Sequence, residues 1–266
     1  MDILNITQKP EIDESIKEYE YHSYEPITGT DLNRLGKIRI NIETQDLFTH
    51  PSESYLVFNG KLVKNANDAV YADVDVITLT NNAMMHLFSN IKYQLSGQEI
   101  ESLFQPGQAT TMLGLLKFPD DFQKSTGLNQ LWMKDSHTTA HLQNSIGFAA
   151  RQGYIIQRPD PKGTFSFRVP LKHIFGSCND YEKVVYGCKH QLTLVRKGDN
   201  DAIFKTGAVA AGPENNPTAI AEPDDGKILM TKLSWYMPHV TPNLRKKNLK
   251  STKQLNQNQV SQSVTE

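Results

Sequence analysis

The sequence predicts an all-β domain, a sandwich of about eight strands crossed by short helices. Three observations carry that expectation. Apolar and polar residues alternate in several separate runs, the period-two signature of half-buried strands. Only two short segments have helical character. No strand–helix–strand rhythm of the kind that builds a parallel sheet occurs.

Residues 1–35 are polar, contain Pro10, Pro26 and Gly29, and lack periodicity, so they read as an extended arm laid against something else. The domain itself is expected over 36–240. Ile38, Ile40 and Ile42 alternate with Arg39 and Asn41 as a first strand, and SYLVFNGKLV (54–63) sets Asn59-Gly60 between two apolar runs, which predicts a hairpin. In VYADVDVITLT (70–80) the alternation puts Ala72, Val74 and Val76 on one face and Tyr71, Asp73 and Asp75 on the other. NNAMMHLFSN (81–90) makes one or two helical turns, and IKYQLSGQEIE (91–101) is a strand, a Ser-Gly turn and a strand. ATTMLGLLKF (109–118) is a short helix crossing a sheet edge, with Met112, Leu115 and Leu116 as a stripe that reads as core packing.

Residues 119–152 are rich in Asp, Ser, Thr, Asn and Gln and form a long surface excursion anchored by Trp132 and Phe148. GTFSFRVPLKHIFG (163–176) follows as a strand with Phe165, Phe167 and Val169 inward. Pro170 ends it because proline has no N–H for the ladder, and a short helical corner carries Lys172 and His173. Leu192 and Leu194 mark the next strand, 207–226 is a Pro/Gly-rich loop, and KILMTKLSWYMPHV (227–240) is the last strand. Residues 241–266 are a polar, disordered basic tail.

Composition narrows the function classes. Hydrophobic residues are 38% and charged residues 21% of 266, near globular averages. The N-terminus lacks a basic stretch and a small-residue cleavage site, and no apolar run approaches about 18 residues, so an intracellular protein of cytoplasm or nucleus, away from membranes, is expected. The net charge of −1 hides an asymmetry: 1–50 hold ten acidic and five basic side chains, whereas 241–266 hold five basic ones and one acidic. Arg245, Lys246, Lys247, Lys250 and Lys253 could touch nucleic acid weakly through phosphates, but no aromatic residue offers a stacking platform.

Chemistry-bearing patterns are sparse. GAVAAGPE (207–214) has Pro213 and Glu214 where a phosphate loop needs Lys and Ser or Thr. His137 and His141 are spaced for one helix face, with Asp135 nearby, but Thr138-Thr139 between them disfavours a helix and a metal site is not expected. Asp73 and Asp75 could bind a metal or serve as acid and base; an isolated D-x-D reads as a solvated face. Cys178 or Cys188 could be activated by His173 or His190, although cysteines beside Tyr and Val read as small core residues with free thiols. The expectation is therefore no catalytic, cofactor or metal residue and no enzyme.

Taken in order, SYLVFNGKLV, NNAMMHLFSNIKYQLSGQEIE, PGQATTMLGLLKFP, FSFRVPLKHIFG and KVVYGCKHQLTLVR resemble the double-jelly-roll-like proteins of many invertebrate genomes, which are similar to major capsid proteins of Polinton-type elements and related double-stranded DNA viruses. The resemblance spans about 20–240. It implies a jelly-roll β-sandwich and a structural role, in the virion for a functional viral protein, through homo-oligomers that are trimers in that family. It also implies two successive rolls, of which this chain looks like the first alone, as in a truncated copy. On that view the strand 227–240, with Ile228, Met230, Leu233, Trp235 and Met237 covering both faces, is expected to be a sticky exposed edge. The rival readings are a lectin-like or cupin-like binding sandwich and a metal-dependent enzyme using His137 and His141.

Overall fold

The computed structural model describes residues 16–27, 31–43, 48–73, 75–135, 145–158, 160–205 and 226–243. Twelve strands occur among them: β1 Ile16–Tyr24, β2 Gly36–Ile42, β3 Phe48–Thr49, β4 Tyr55–Lys64, β5 Ile77–Leu79, β6 Phe88–Leu95, β7 Gln98–Phe104, β8 Thr164–Pro170, β9 Val185–Tyr186, β10 His190–Arg196, β11 Ile203–Lys205 and β12 Gly226–Pro242. Four α-helices join them: α1 Ala83–His86, α2 Pro106–Lys117, α3 Ile146–Ile155 and α4 Gly176–Asp180. The pairings are antiparallel. One sheet runs β8-β4-β12-β3-β9 with β1 added on the far side of β12; the second runs β2-β10-β6-β7; β5 and β11 form a small ribbon.

The inward faces follow the alternation. Ile38, Ile40 and Ile42 meet Leu192 and Leu194 from β10, Ile91 and Tyr93 from β6, and Phe58, Phe167 and Trp235 from the opposing sheet in one core. In β8, Phe165, Phe167 and Val169 are buried while Ser166 and Arg168 are exposed. The chain then turns at Leu171–His173, passes through α4, and reaches β10 in the other sheet. The turn between β6 and β7 is Ser96-Gly97, both at positive φ (47° and 86°), the conformation a two-residue hairpin requires.

Four expectations are corrected by the fold. Asn59-Gly60 is not a turn: β4 runs unbroken through it, with Asn59 opposite Ser166 and Lys232 and Gly60 opposite Phe165 and Met230. Glycine stands there for proximity, since a Cβ at position 60 would come within 2.6 Å of the Phe165 ring and 2.7 Å of the Leu229 carbonyl oxygen. The strand expected over 70–80 shrinks to β5. Asp75 accepts the Ala72 N–H at 2.8 Å and closes a turn, which sends Tyr71 inward to 5% exposure. In the excursion 119–152, Trp132 and Phe148 are buried anchors as expected, but α3 is a regular helix. It is held by Arg151, 1% exposed, which donates to the Leu79 and Met133 carbonyls and to both Asp135 oxygens.

The fourth correction concerns β12. It is no exposed edge but the middle of the larger sheet, flanked by β4 and β3 on one side and β1 on the other. Ile228, Met230, Leu233, Trp235 and Met237 are all at most 3% exposed. A bulge at Thr231, between Met230 opposite Gly60 and Lys232 opposite Asn59, changes the phase by one residue. Even-numbered residues before it and odd-numbered residues after it therefore share the inward face.

Candidate functional site

The residues that could carry chemistry are dispersed and individually satisfied. His173 donates from Nδ1 to the Gln130 side-chain oxygen at 2.9 Å and packs against Phe118 and Phe122. Burial, with Lys172 and Lys117 nearby, pulls it down to about 4, so it is a neutral packing residue at pH 7. Lys172 pairs with Glu53 at 3.0 Å. His190 lies between Thr49 and Tyr93, its Nε2 2.8 Å from the Thr49 hydroxyl and its Nδ1 2.9 Å from the Tyr93 hydroxyl. Thr49 already donates to the Val185 carbonyl, so it accepts from Nε2–H and Tyr93 donates to Nδ1. That bonding uses both ring nitrogens of a neutral imidazole, and burial pulls His190 down to about 4.

Cys178 is not activated by these rings. Cys178 and Cys188 are free thiols, and burial pushes Cys178 up to about 12, the opposite of what a nucleophile needs. Asp73 pairs with Lys162 at 2.7 Å and Asp75 with Lys64 at 3.4 Å, each spent on its own lysine. Asp135 is bound by Arg151. His137 and His141 lie outside the described residues, as do the loop 207–225 and the basic residues from Arg245 onward. Among the described residues, no three His, Cys, Asp or Glu side chains gather in a metal-holding group, and no helix is long and apolar enough to cross a membrane.

The surface carries the stronger signal. Helix α2 is amphipathic in reverse: its packed side consists of Pro106, Gly107, Thr110 and Gly114. A Cβ on Gly107 would meet the His86 ring at 2.5 Å and one on Gly114 the Trp132 ring at 2.3 Å, so these glycines let the helix axis settle onto α1 and Trp132. Asn82 locks the seating by donating to Thr110 at 2.7 Å and to Thr111 at 3.2 Å. The large side chains are left facing solvent: Met112, Leu113, Leu115 and Leu116 are 61%, 56%, 53% and 87% exposed. Phe104, at the end of β7 just before the helix, is 71% exposed. The stripe read as core packing is thus an outward apolar face, the kind of patch that marks an interaction site.

A concavity lies at the β6–β7 end. Pro51, Tyr93, Leu95, Ile100, Ser177, Cys178, Tyr181 and Val185 line an apolar pocket of about 290 Å³. Above it, Glu101 accepts the Gly176 and Ser177 N–H groups and fixes α4 as one wall.

Comparison with known proteins gives one family and a set of similar folds. Residues 77–263 match the family described as double jelly roll-like domain. No curated protein sequence matches the chain. Among solved structures, a chain of the Sputnik virophage is 11% identical with a TM-score of 0.59 over 91% of this chain and 51% of its own length. The Faustovirus major capsid protein is 11% identical with a TM-score of 0.50 over 94% of this chain and 58% of its own. Such identities show the fold, a jelly-roll sandwich, and this chain spans about half the length of those structures.

Proposed function

We propose, because this chain belongs to the double jelly roll-like domain family, that it is a structural, capsid-like protein, viral or transposon-derived, which acts by self-association rather than by catalysis. The observation that carries the reading is the outward apolar face of α2. Met112 and three leucines on one helix, seated by glycines so that they project, form a contiguous exposed apolar patch of the kind that marks a protein contact. Each contributes roughly 1.5–3 kcal/mol when fully buried, enough together to drive a specific contact. If the face meets a different surface of the next copy, the contact is head-to-tail and closes into a ring, as in the trimers the resemblance implies, when its rotation closes. The basic residues from Arg245 onward would add salt-sensitive contact with nucleic acid inside an assembly.

Light scattering coupled to size exclusion tests this. The wild-type chain should form defined multimers as concentration rises, and Leu113→Glu/Leu116→Glu should remain monomeric with an unchanged far-UV spectrum. A wild-type chain that stays monomeric at high concentration would remove the reading.

The apolar pocket favours a second reading, a binding sandwich for a small apolar ligand. An apolar fluorescent dye should then bind with one-to-one stoichiometry, and Val185→Trp should abolish that binding without reducing multimer mass.

A further inference from the structure

β1 contributes backbone pairing but almost no burial. Eight of its nine residues are exposed, and only Tyr24 packs partly on the core. Even so, its register on β12 is long, from Ile16 opposite Pro242 to Tyr24 opposite Trp235. Cross-strand contacts hold that register: the His22 and His239 rings stack at 4.2 Å, the Tyr24 hydroxyl is 3.0 Å from His239 Nε2, and Tyr21 packs on Tyr55 at 5.4 Å. Without β1, the outer side of β12 from Trp235 to Pro242 would be an open strand edge next to a buried core, a template for another strand.

Among the described residues, the chain after β1 is held at three places: Glu25 pairs with Lys232 at 3.4 Å, both exposed, the Ile27 N–H donates to the Arg39 carbonyl at 2.8 Å, and Asn33 is fixed on β12. Asn33 accepts the Met230 N–H at 2.7 Å and donates to the Met230 carbonyl at 3.2 Å, acting as a one-residue strand on β12, and Leu32 is buried beside it. From Asn33 onward the chain is committed to its own sandwich. Between Tyr24 and Asn33 lie eight residues, enough to span roughly 30 Å when extended, and among those described exchange would break only the Glu25–Lys232 pair and the one Ile27–Arg39 backbone bond.

We propose that β1 is an exchange strand, which leaves its own β12 and pairs with the β12 of a second copy in the same register. The contacts made and lost are identical in kind, since the incoming strand has the same sequence, so the preference between closed and exchanged forms is set by concentration and by the connection at 25–32. Few apolar contacts oppose release, which is what distinguishes β1 from β8 at the other margin of the sheet: β8 inserts Phe165, Phe167 and Val169 into the core and cannot leave without opening it. The inference rests on the self-association reading and supplies one of its contacts.

Glu18 and Thr241 face each other across β1 and β12 and are both exposed. Two differently tagged chains, Glu18→Cys and Thr241→Cys, each also carrying Cys188→Ser, are co-expressed and treated with a short bis-maleimide. Exchange predicts a cross-linked heterodimer several-fold above that of the pair Glu18→Cys with Asp121→Cys, which measures random collision. The double variant Glu18→Cys/Thr241→Cys, which must cross-link wherever β1 is paired, verifies the fold of the variants. Multimers by light scattering with cross-links confined within single chains would overturn the exchange and leave self-association standing. Monomers with intrachain cross-links only would overturn both.

Discussion

Strand β12 and helix α2 are both apolar segments, and the fold treats them in opposite ways. β12 places five large side chains, Ile228, Met230, Leu233, Trp235 and Met237, on one inward face, because the bulge at Thr231 brings two out-of-phase runs into line. α2 places Met112, Leu113, Leu115 and Leu116 outward, because its small residues fit against α1 and Trp132 more closely than leucines could. Apolar content says how much surface seeks cover; packing geometry decides which side finds it within the same chain.

The largest expected difference between the two regions is in tolerance to charge. Trp235→Lys puts an ammonium group in the centre of the sandwich and should cost at least about 5 kcal/mol, leaving an unfolded chain in a denaturant titration at neutral pH. Survival of a folded Trp235→Lys protein would break the distinction at its buried end.

Acid should act beneath both regions through neutral histidines. His190 sits edge-on to Trp235 at 6.3 Å, and His173 packs on Phe118, the residue that follows α2. Each is pulled from its ordinary 6.5 to about 4, chiefly by burial. Above pH 6.5 folded and unfolded chains bind the same protons there. Below it the unfolded chain takes protons that the fold refuses, so stability falls as pH drops from 6.5 towards 4, by on the order of 3 kcal/mol at most for each ring. Denaturant midpoints across that window should fall, and His190→Gln should flatten the slope. A midpoint independent of pH from 7 to 4 would contradict the neutral assignment.

Filling the close approaches comes next in size. Gly60→Val brings a side chain onto the Phe165 ring and Gly114→Val onto Trp132, and each should cost about 1–3 kcal/mol. The readouts differ: Gly60→Val lowers the thermal midpoint alone, whereas Gly114→Val also tilts α2 and reduces multimer mass. Equal effects on association would mean that the seating of the helix does not matter.

The smallest effect on stability belongs to the outward face. Leu116→Glu, at a site 87% exposed, should change folding stability by no more than about 0.5 kcal/mol while weakening self-association at least tenfold. A destabilisation as large as that of Trp235→Lys would place Leu116 in the core after all.

Much of the fold was readable from local pattern. The alternation in 163–170, the isoleucines of β2, the Ser96-Gly97 turn and the corner after Pro170 depend on neighbours along the chain, so a residue's neighbours in sequence predict them. The anchors Trp132 and Phe148 were legible because large aromatics in a polar stretch have little else to do than bury. Other features depend on partners distant in sequence. Asn59-Gly60 has the composition of a turn, and it is a strand because Phe165, more than a hundred residues later, needs the space above Gly60. The buried Arg151 lies among ordinary helix residues, and its partners Leu79, Met133 and Asp135 come together only when α3 docks. The outward face of α2 had a signal, Gly107 and Gly114 one packed face apart from the leucines, but reading it required knowing that α1 and Trp132 would lie beneath. Alone, then, the sequence determined an antiparallel sandwich, its main strands and the absence of a recognisable catalytic motif, since periodicity and turn chemistry are local. Tertiary structure decided which apolar faces were covered, because burial is a contest among all segments for the same interior, and β12 occupied it where α2 did not.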